Sequence, residues 1–427
     1  MIISDSWLQT DYGVEFGRFL LENFKVKALV DVAARVFPVP LVGACIILLE
    51  KPFEGEKVED NQIVFTYLSI PKGESLKVDE ILQVIKDPKM ATGHYRINVV
   101  RQGDLPKDQK WINFIFNAEE ILEELHAKTI KMGELFDPSY GNATYLFLAS
   151  RRKVKGPRNL GSKEFFYFNE EKVKERGVKD FVYPALTSSR YAPFFTFTDR
   201  DWKELRDRGA DCYFFMCHKP RDSLPKHVLD YIRWGETECK TLTRRTRGGG
   251  KICSLALACQ ERENQKQHFY GWYDLAGVVD APILAVYQAR YKTRFILNLK
   301  KAVTYHAMIA FAPKEGVYLD DTQTKALLAY LNSSFVQLYI ESVGRTTGAV
   351  GPIGLEVNQA EKIPVINVKE ISNSAKEDLA SLFDKLDNEA RKIGGADKKE
   401  NILRLWDTVI AEIDSKITEI LKLPEYL

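Results

Sequence analysis

The chain has 427 residues, of which 45% are hydrophobic, 28% charged and 11% aromatic. This length suffices for two or three domains and this composition is typical of globular chains, which excludes a single small binding module and a disordered chain. The sequence contains 61 Lys and Arg residues and 59 Asp and Glu residues, which gives a net charge of +2. This charge favours neither a nucleic-acid partner nor a membrane partner, so only local charge clusters are informative.

The cysteines and the N-terminus bear on the compartment. Six cysteines form no regular framework, and Cys45 lies inside an apolar run, which predicts reduced thiols and a cytoplasmic protein. The N-terminus lacks the basic and apolar regions of a signal peptide, and no run reaches the ~18 apolar residues that span a bilayer. The sequence therefore predicts neither secretion nor a membrane partner.

The predicted elements follow from hydrophobic periodicity. Residues 2–3 resemble the last step of a buried strand, and apolar residues at helical spacing over 12–24 predict a helix. Two strands are predicted next, at 28–32 and at 42–49, where the continuous apolar run is typical of a strand buried on both faces. Residues 53–130 are predicted to form a β-rich connector with a helix near 118–130.

A second α/β domain is predicted over 131–370, with a helix at 327–342. Residues 371–427 predict two amphipathic helices joined at Gly394-Gly395, which we expect to pack on the preceding domain rather than on a partner.

Common catalytic signatures are missing from the sequence. There is no phosphate-loop, dinucleotide-binding, HExxH, GxSxG or paired CxxC motif, which argues against standard hydrolase and NTPase chemistry. The scattered His and Cys residues do not have the spacing of a structural zinc site, so no metal is expected. The tetrapeptide Asp137-Pro138-Ser139-Tyr140 is similar to the catalytic signature of amino-group DNA methyltransferases. Ser139 replaces its second proline and no apolar strand precedes it, so we predict a turn.

Two basic clusters contain no acidic residue. One includes Arg151, Arg152 and Lys153, and the other includes Arg244, Arg245, Arg247 and Lys251. In the second cluster, residues 248–250 are glycines, which would let the loop follow a groove while the arginines contact phosphates or guanine edges. A solvated basic loop is an equally good interpretation of each cluster, so both interpretations stay open.

An ordered series of motifs carries a family resemblance. Residues 4–8, 19–24, 30–31, 35–38 (Arg-Val-Phe-Pro) and 45–51 resemble the end of the catalytic domain in γ-class adenine-N6 DNA methyltransferases. Residues 183–190, 231–236, 272–273, 294–298 and 331–335 look like the target-recognition domain of the same enzymes, as found in type IIG restriction-modification proteins.

The resemblance implies a mixed α/β fold. Residues 1–52 would form the last strands of a class I S-adenosylmethionine-dependent methyltransferase sheet. The connector 53–130 would follow, then an α/β target-recognition domain at 131–370 and the C-terminal helices at 371–427. Phe37 matches the family's aromatic residue that stacks on a flipped adenine; a phenylalanine plugged into the core is the alternative.

The family's cofactor loop and catalytic tetrapeptide precede the point that corresponds to Met1. The resemblance therefore implies a C-terminal portion or subunit of a site-specific adenine-N6 DNA methyltransferase. It would bind double-stranded DNA and use S-adenosylmethionine only with an N-terminal methyltransferase polypeptide. Without that polypeptide, one apolar side of residues 42–49 is expected to be exposed. The alternatives are a non-catalytic, sequence-specific DNA-binding subunit and the product of a degraded gene.

Overall fold

The computed structural model describes residues 1–33, 43–69, 78–88, 95–116, 119–141, 161–241, 250–275, 281–305, 308–346 and 352–423. The strands in chain order are β1 (Ile2–Ser4), β2 (Lys25–Ala33), β3 (Ala44–Glu50), β4 (Gln62–Ser69), β5 (Tyr95–Arg101), β6 (Ile130–Lys131), β7 (Phe136–Tyr140), β8 (Tyr167–Phe168), β9 (Val182–Leu186), β10 (Tyr213–Phe215), β11 (Ile283–Val286), β12 (Gln288–Ala289), β13 (Phe295–Leu297), β14 (Val303–Thr304), β15 (Met308–Pro313), β16 (Arg345–Thr346), β17 (Ile353–Gly354) and β18 (Pro364–Val365).

The α-helices in chain order are α1 (Asp11–Asn23), α2 (Val78–Lys86), α3 (Ile112–Phe116), α4 (Glu119–Lys128), α5 (Met132–Leu135), α6 (Lys163–Phe166), α7 (Glu170–Arg176), α8 (Asp199–Asp207), α9 (Lys226–Thr237), α10 (Leu257–Glu263), α11 (Asp321–Leu331), α12 (Ser334–Val343), α13 (Val357–Ala360), α14 (Asn373–Lys392), α15 (Lys399–Leu405) and α16 (Ala411–Leu421). Within the described ranges, no helix combines the length and the apolar character needed to cross a bilayer.

The chain divides into two compact units. Unit 1 comprises residues 1–129, 337–359 and 423–427, and unit 2 comprises residues 130–336 and 360–422. Each unit combines sheets with helices, which confirms the predicted mixed α/β class.

Unit 1 is built on a five-stranded sheet in the order β1-β3-β2-β4-β5. Strand β3 pairs antiparallel with both β1 and β2, whereas β2 and β4 are parallel. The short strand β1, helix α1 and the pair β2–β3 follow one another as the periodicity predicts. Strands β4 and β5, from the predicted connector, extend the same sheet.

Both faces of this sheet are covered. Successive residues of a strand point to opposite faces. On one face Leu29 and Cys45 belong to a core with Trp7 and Trp111, and on the other Val30 packs with residues that include Ile81 of α2. Strand β3 lies between β1 and β2, and all its residues are buried or half-buried. The expectation of an exposed apolar side is therefore wrong for the described residues 44–49, because neighbouring elements of the same chain cover it.

Unit 2 contains two four-stranded sheets, in the orders β14-β9-β10-β8 and β13-β11-β15-β7. Strand β7 contains Asp137-Pro138-Ser139-Tyr140 and pairs antiparallel with β15 along its whole length, with Pro138 opposite Phe311. The prediction of a turn is therefore wrong. Because β7 is the last strand of its sheet, a proline without an N–H donor is tolerated there.

The helix predicted over 327–342 is interrupted. Helix α11 ends at Leu331 and α12 begins at Ser334. The side chain of Asn332 is buried at the interruption: its Nδ2 donates to the carbonyls of Phe295 (2.9 Å) and Leu328 (2.9 Å), and its Oδ1 accepts from the Phe295 N–H at 3.0 Å. These bonds to β13 replace continuation of the helix, so the single-helix prediction is wrong.

The C-terminal helices form as predicted. Helix α14 is followed by Gly394 and Gly395, whose φ angles of 81° and 118° favour glycine. The second predicted helix consists of α15, a π-helical turn (Trp406–Ile410) and α16. Leu379, Phe383 and Leu386 of α14 are fully buried, and α14 packs on α11 within unit 2. The helices thus pack on the preceding domain, as expected.

Candidate DNA-binding surface

Lys251 is the one predicted DNA-binding residue that lies in the described part of the chain, and it is exposed. Phe37 lies outside the described residues, as do six basic residues: Arg151, Arg152, Lys153, Arg244, Arg245 and Arg247. The candidate surface is therefore defined by the described residues that hold the ends of the two basic segments, 142–160 and 242–249.

A closed stem holds the second basic segment. A disulfide joins Cys239 to Cys253, with their Cα atoms 5.4 Å apart. The Cys253 N–H donates to the Cys239 carbonyl at 2.8 Å, and the Thr241 N–H donates to the Lys251 carbonyl at 2.9 Å. Lys240 and Ile252 form an antiparallel bridge between these bonds. The stem brings together Thr241 and Gly250, the described residues on either side of the segment.

The stem explains one of the three glycines and corrects the cysteine prediction. A Cβ on Gly250 would lie 1.4 Å from the Thr241 carbonyl oxygen, so only glycine fits where the two backbones meet.

The sequence predicted reduced thiols, whereas Cys239 and Cys253 are paired. The sequence feature that could have indicated this pair is a cysteine on each side of the basic run. Cys45, Cys212, Cys217 and Cys259 are buried and are not disulfide-bonded.

The first basic segment ends at the same stem. Gly161 follows the segment with a φ of 88°, and a Cβ there would lie 2.7 Å from the Sγ of Cys259. Ser162 Oγ donates to the Sγ of Cys253 at 3.0 Å and also accepts from the Phe165 N–H at 3.3 Å, which caps α6. One end of each basic segment is therefore fixed at the Ser162–Cys253 contact, although the two residues are 91 positions apart. We call this contact the junction.

The junction is supported by an aromatic core. The rings of Phe165 and Tyr231 stack with centroids 4.7 Å apart, and Tyr231 Oη donates to the Phe165 carbonyl. Trp272 packs against Phe165 at 4.5 Å. A Cβ on Gly235 would lie 2.5 Å from Trp272, so the close approach of α9 requires glycine. This packing fixes the position of α6, and with it Ser162 at the junction.

Cations lie over the edge of this aromatic core. The Nζ atom of Lys172 is 4.2 Å from the Phe168 ring centroid, and the guanidinium of Arg176 is 4.5 Å from that of Trp234. Burial lowers the pKa of Lys172 to about 8, and its Nζ donates to the Glu164 and Tyr167 carbonyls at 2.7 and 2.8 Å. Because these bonds occupy it, Lys172 has a structural role rather than that of a free DNA contact.

In unit 1, buried acidic and sulfur groups lie close to the ends of the 34–42 segment that contains Phe37. Asp31 is close to the end of β2 and is opposite Cys45 of β3, whose Sγ accepts from Trp7 Nε1 at 3.3 Å. Burial, and then the nearby carboxylate of Asp5, raise the pKa of Asp31 to about 7. The Asp5 N–H donates to the Gly43 carbonyl at 3.2 Å, which fixes the far end of the segment.

The family resemblance implies S-adenosylmethionine, but it assigns the cofactor loop to residues before the point that corresponds to Met1 and residues 1–52 to the last strands of the sheet. At β1 and β2 the described residues offer no substitute: Asp31 is 7% exposed, so its carboxylate is not available to a ribose, and the turn after β1 is the 3₁₀ helix Asp5–Gln9, which contains no glycine. We therefore derive no step through this cofactor.

Comparison with known proteins places one segment in a family. Residues 159–247, which include the junction residue Ser162 and most of the second basic cluster, match the family described as "Type II methyltransferase M.Eco57I, C-terminal domain". This match confirms the resemblance to the C-terminal part of restriction-modification methyltransferases. No curated protein matches the chain.

Two solved structures align with nearly the whole chain. The type IIL restriction-modification enzyme MmeI, solved in complex with DNA, aligns with a TM-score of 0.52 and 10% identity over 99% of this chain and 46% of its own. The type IIG restriction endonuclease BpuSI aligns with a TM-score of 0.41 and 13% identity, over 98% of this chain and 47% of its own. The chain thus spans about half the length of each.

Proposed function

Because residues 159–247 match the family described as the C-terminal domain of a type II methyltransferase, we propose that this chain provides DNA target recognition for a site-specific adenine-N6 DNA methyltransferase of a restriction-modification system. The observation that carries the proposal is the junction, where the Ser162 hydroxyl contacts Cys253 and fixes one end of both basic segments. In this proposal, the S-adenosylmethionine site and the catalytic tetrapeptide lie outside this sequence, on an N-terminal methyltransferase polypeptide or segment.

The chemistry of the two segments supports double-stranded DNA as the ligand. Arg151, Arg152 and Lys153 belong to the first segment, and Arg244, Arg245 and Arg247 belong to the second, next to Lys251. Neither cluster contains an acid that would neutralise it. Arginine and lysine gain affinity by displacing counterions from phosphates, and arginine also reads guanine edges through two parallel hydrogen bonds. Two such segments held at one point would contact the duplex together.

The topology of unit 1 supports a stacking role for Phe37. The succession of β1, α1, β2 and β3 follows the order that the family resemblance implies, namely the end of one strand, a helix and then the last two strands of the methyltransferase sheet. Phe37 belongs to the connection between β2 and β3. In this proposal it stacks on the adenine that is flipped out of the duplex.

Salt-dependent DNA binding tests the recognition role. We expect the triple variant R244Q/R245Q/R247Q of the full chain to bind duplex DNA more weakly and to reduce the slope of log K against log salt by ~0.9 for each phosphate that the variant no longer neutralises. The matched control is K398Q/K399Q/R404Q, which removes three exposed positive charges from α15 and the residue before it. Equal slopes for the two triple variants would contradict the recognition role of the second segment.

Methylation in the presence of the catalytic polypeptide tests the stacking role. We expect F37A to slow methyl transfer to adenine strongly while DNA affinity stays within error, and F37W to retain much of the rate because a larger ring still stacks. If F37A methylates at the wild-type rate, the chain is a DNA-binding subunit without a part in catalysis.

A further inference from the structure

A cavity of about 130 Å³ lies within unit 2, and none of the residues that line it was singled out in the sequence as a DNA contact. It is bordered by the start of the 3₁₀ turn Ser189–Tyr191, by residues between Val286 and Arg294, and by Ala396 and Asp397. A cavity of roughly 150 Å³ accommodates benzene, so this one has room for a phosphate group. The charged side chains that line it are Arg190, Arg290, Lys292, Arg294 and Asp397.

Arg294 is a buried cation whose partners are neutral. Its Nη1 donates to the Ala396 carbonyl at 3.0 Å and its Nη2 to the Ala192 carbonyl at 3.1 Å. The Nε atom is buried and has no partner among the described residues. Only 7% of Arg294 is exposed. Burial lowers the pKa of Arg294 to about 10, so the guanidinium remains charged at neutral pH.

The charge of Arg294 is compensated only by neutral groups in direct contact. A buried charge is costly unless it is paired, and a carbonyl dipole compensates it only in part. Asp397 raises the pKa of Arg294 through its charge, but the two side chains form no ion pair in the described structure, and Asp397 is exposed. The positive charge of Arg294 is thus not neutralised by a contacting carboxylate of the described residues, and its buried Nε–H has no partner among them.

The other cations of the cavity differ in their availability. Lys292 is occupied: its Nζ donates to the Ser333 carbonyl at 3.1 Å and lies 4.8 Å from the Trp406 ring centroid, and its charge acts on the half-buried Asp414. Arg190 and Arg290 are exposed, and neither forms an ion pair with an acid in the described part of the chain. Three guanidinium groups therefore border the cavity without a carboxylate from the described residues bound to them.

We propose that this cavity binds one phosphate group, held by Arg190, Arg290 and Arg294. Guanidinium groups suit a phosphate because their donors match its oxygens in pairs. A backbone phosphate of DNA and a free phosphate would bind by the same chemistry. The choice of DNA as the source rests on the proposed function, and it would add a contact to the duplex that is independent of base sequence.

The DNA arm of the test uses the full chain and a fluorescent duplex. The variant R190Q/R290Q removes the two exposed arginines and leaves the buried Arg294 in place. We expect the magnitude of the negative slope of log K, where K is the association constant for DNA, against log salt to decrease by ~0.9, the value for one phosphate. The decrease should be the same on unrelated DNA sequences. The control R200Q/R233Q removes two exposed arginines of α8 and α9 in the same unit and should retain the wild-type slope.

The free-phosphate arm measures broadening of the ³¹P signal of inorganic phosphate by the full chain, with acetate as a competing anion. Loss of broadening in R190Q/R290Q, but not in R200Q/R233Q, supports the site. If this loss occurs while the salt slope for DNA is unchanged, the phosphate that the site binds is free phosphate rather than a phosphate of DNA. A variant that keeps both the wild-type slope and the wild-type broadening overturns the proposal, and so does acetate that competes as well as phosphate. If the wild-type chain binds no DNA, the proposed function fails and the ³¹P arm alone decides this inference.

Discussion

The buried carboxylate of Asp387 connects helix α14 to the segment that precedes α8. Its Oδ1 accepts from the backbone N–H groups of Phe195 (2.9 Å) and Thr196 (2.8 Å). Its Oδ2 accepts from Thr196 Oγ1 and from Arg391 Nε, both at 2.8 Å. Arg391 also donates to both carboxylate oxygens of Asp201, at 2.8 and 2.9 Å. One substitution in α14 therefore affects four hydrogen bonds of unit 2.

We expect D387A to destabilise unit 2 by about 4 kcal/mol. A charge-assisted hydrogen bond contributes ~1.5–3 kcal/mol, but the four bonds share one carboxylate and are not additive. The better guide is the ~3–5 kcal/mol by which removing one member of a buried charged group destabilises a protein. D387N keeps the shape and an acceptor for the two N–H groups, so we expect it to cost about half as much.

Hydrogen exchange gives the local measurement, because the amides of Phe195 and Thr196 donate directly to Asp387. D387A should increase their exchange rates and lower the denaturant midpoint of the full chain. The control is E389A, which removes an exposed ion pair with Lys392 (2.7 Å) on the same helix and should leave both quantities within error. If D387A retains wild-type exchange at these amides and the wild-type midpoint, the reasoning from the buried cluster is refuted.

Two further predictions concern stability. Asp31 loses its proton near pH 3.8 in the unfolded chain and near pH 7 in the folded chain. Between these values the folded state binds more protons, so the free energy of unfolding falls as the pH rises from 3.8 to 7, by at most about 4 kcal/mol. Urea titrations at several pH values should show that D31N abolishes this fall, whereas D108N, at an exposed site, retains it. G161A should destabilise unit 2 by about 2 kcal/mol, because it combines a left-handed backbone with a Cβ 2.7 Å from the Cys259 sulfur. G177A, with a φ of 64° and no neighbour within 4 Å, should cost less. If C259A fails to rescue G161A in thermal melts, the steric argument is wrong.

The sequence by itself determined the elements whose signal is local. The helical spacing over 12–24 and the apolar runs at 28–32 and 42–49 predicted α1 and the pair β2–β3, because a buried face repeats within one element. The same holds for the C-terminal helices and the glycines that join them. The ordered motifs also determined the resemblance that the match over 159–247 confirmed.

The tertiary structure decided every feature that depends on a partner far away in the chain. Asp137–Tyr140 is a strand because β15 pairs with it, and the helix stops at Asn332 because Phe295 binds its amide. Ser162 meets Cys253 only through the packing of α6 on α9 and Trp272.

The cavity in unit 2 has the same origin. Arg290, Lys292 and Arg294 alternate along one segment, a pattern that is visible in the sequence, but Arg190 and the carbonyls that hold Arg294 come from positions about a hundred residues away on either side. Local periodicity reports which side of an element is buried, whereas only packing determines which distant groups share that buried space.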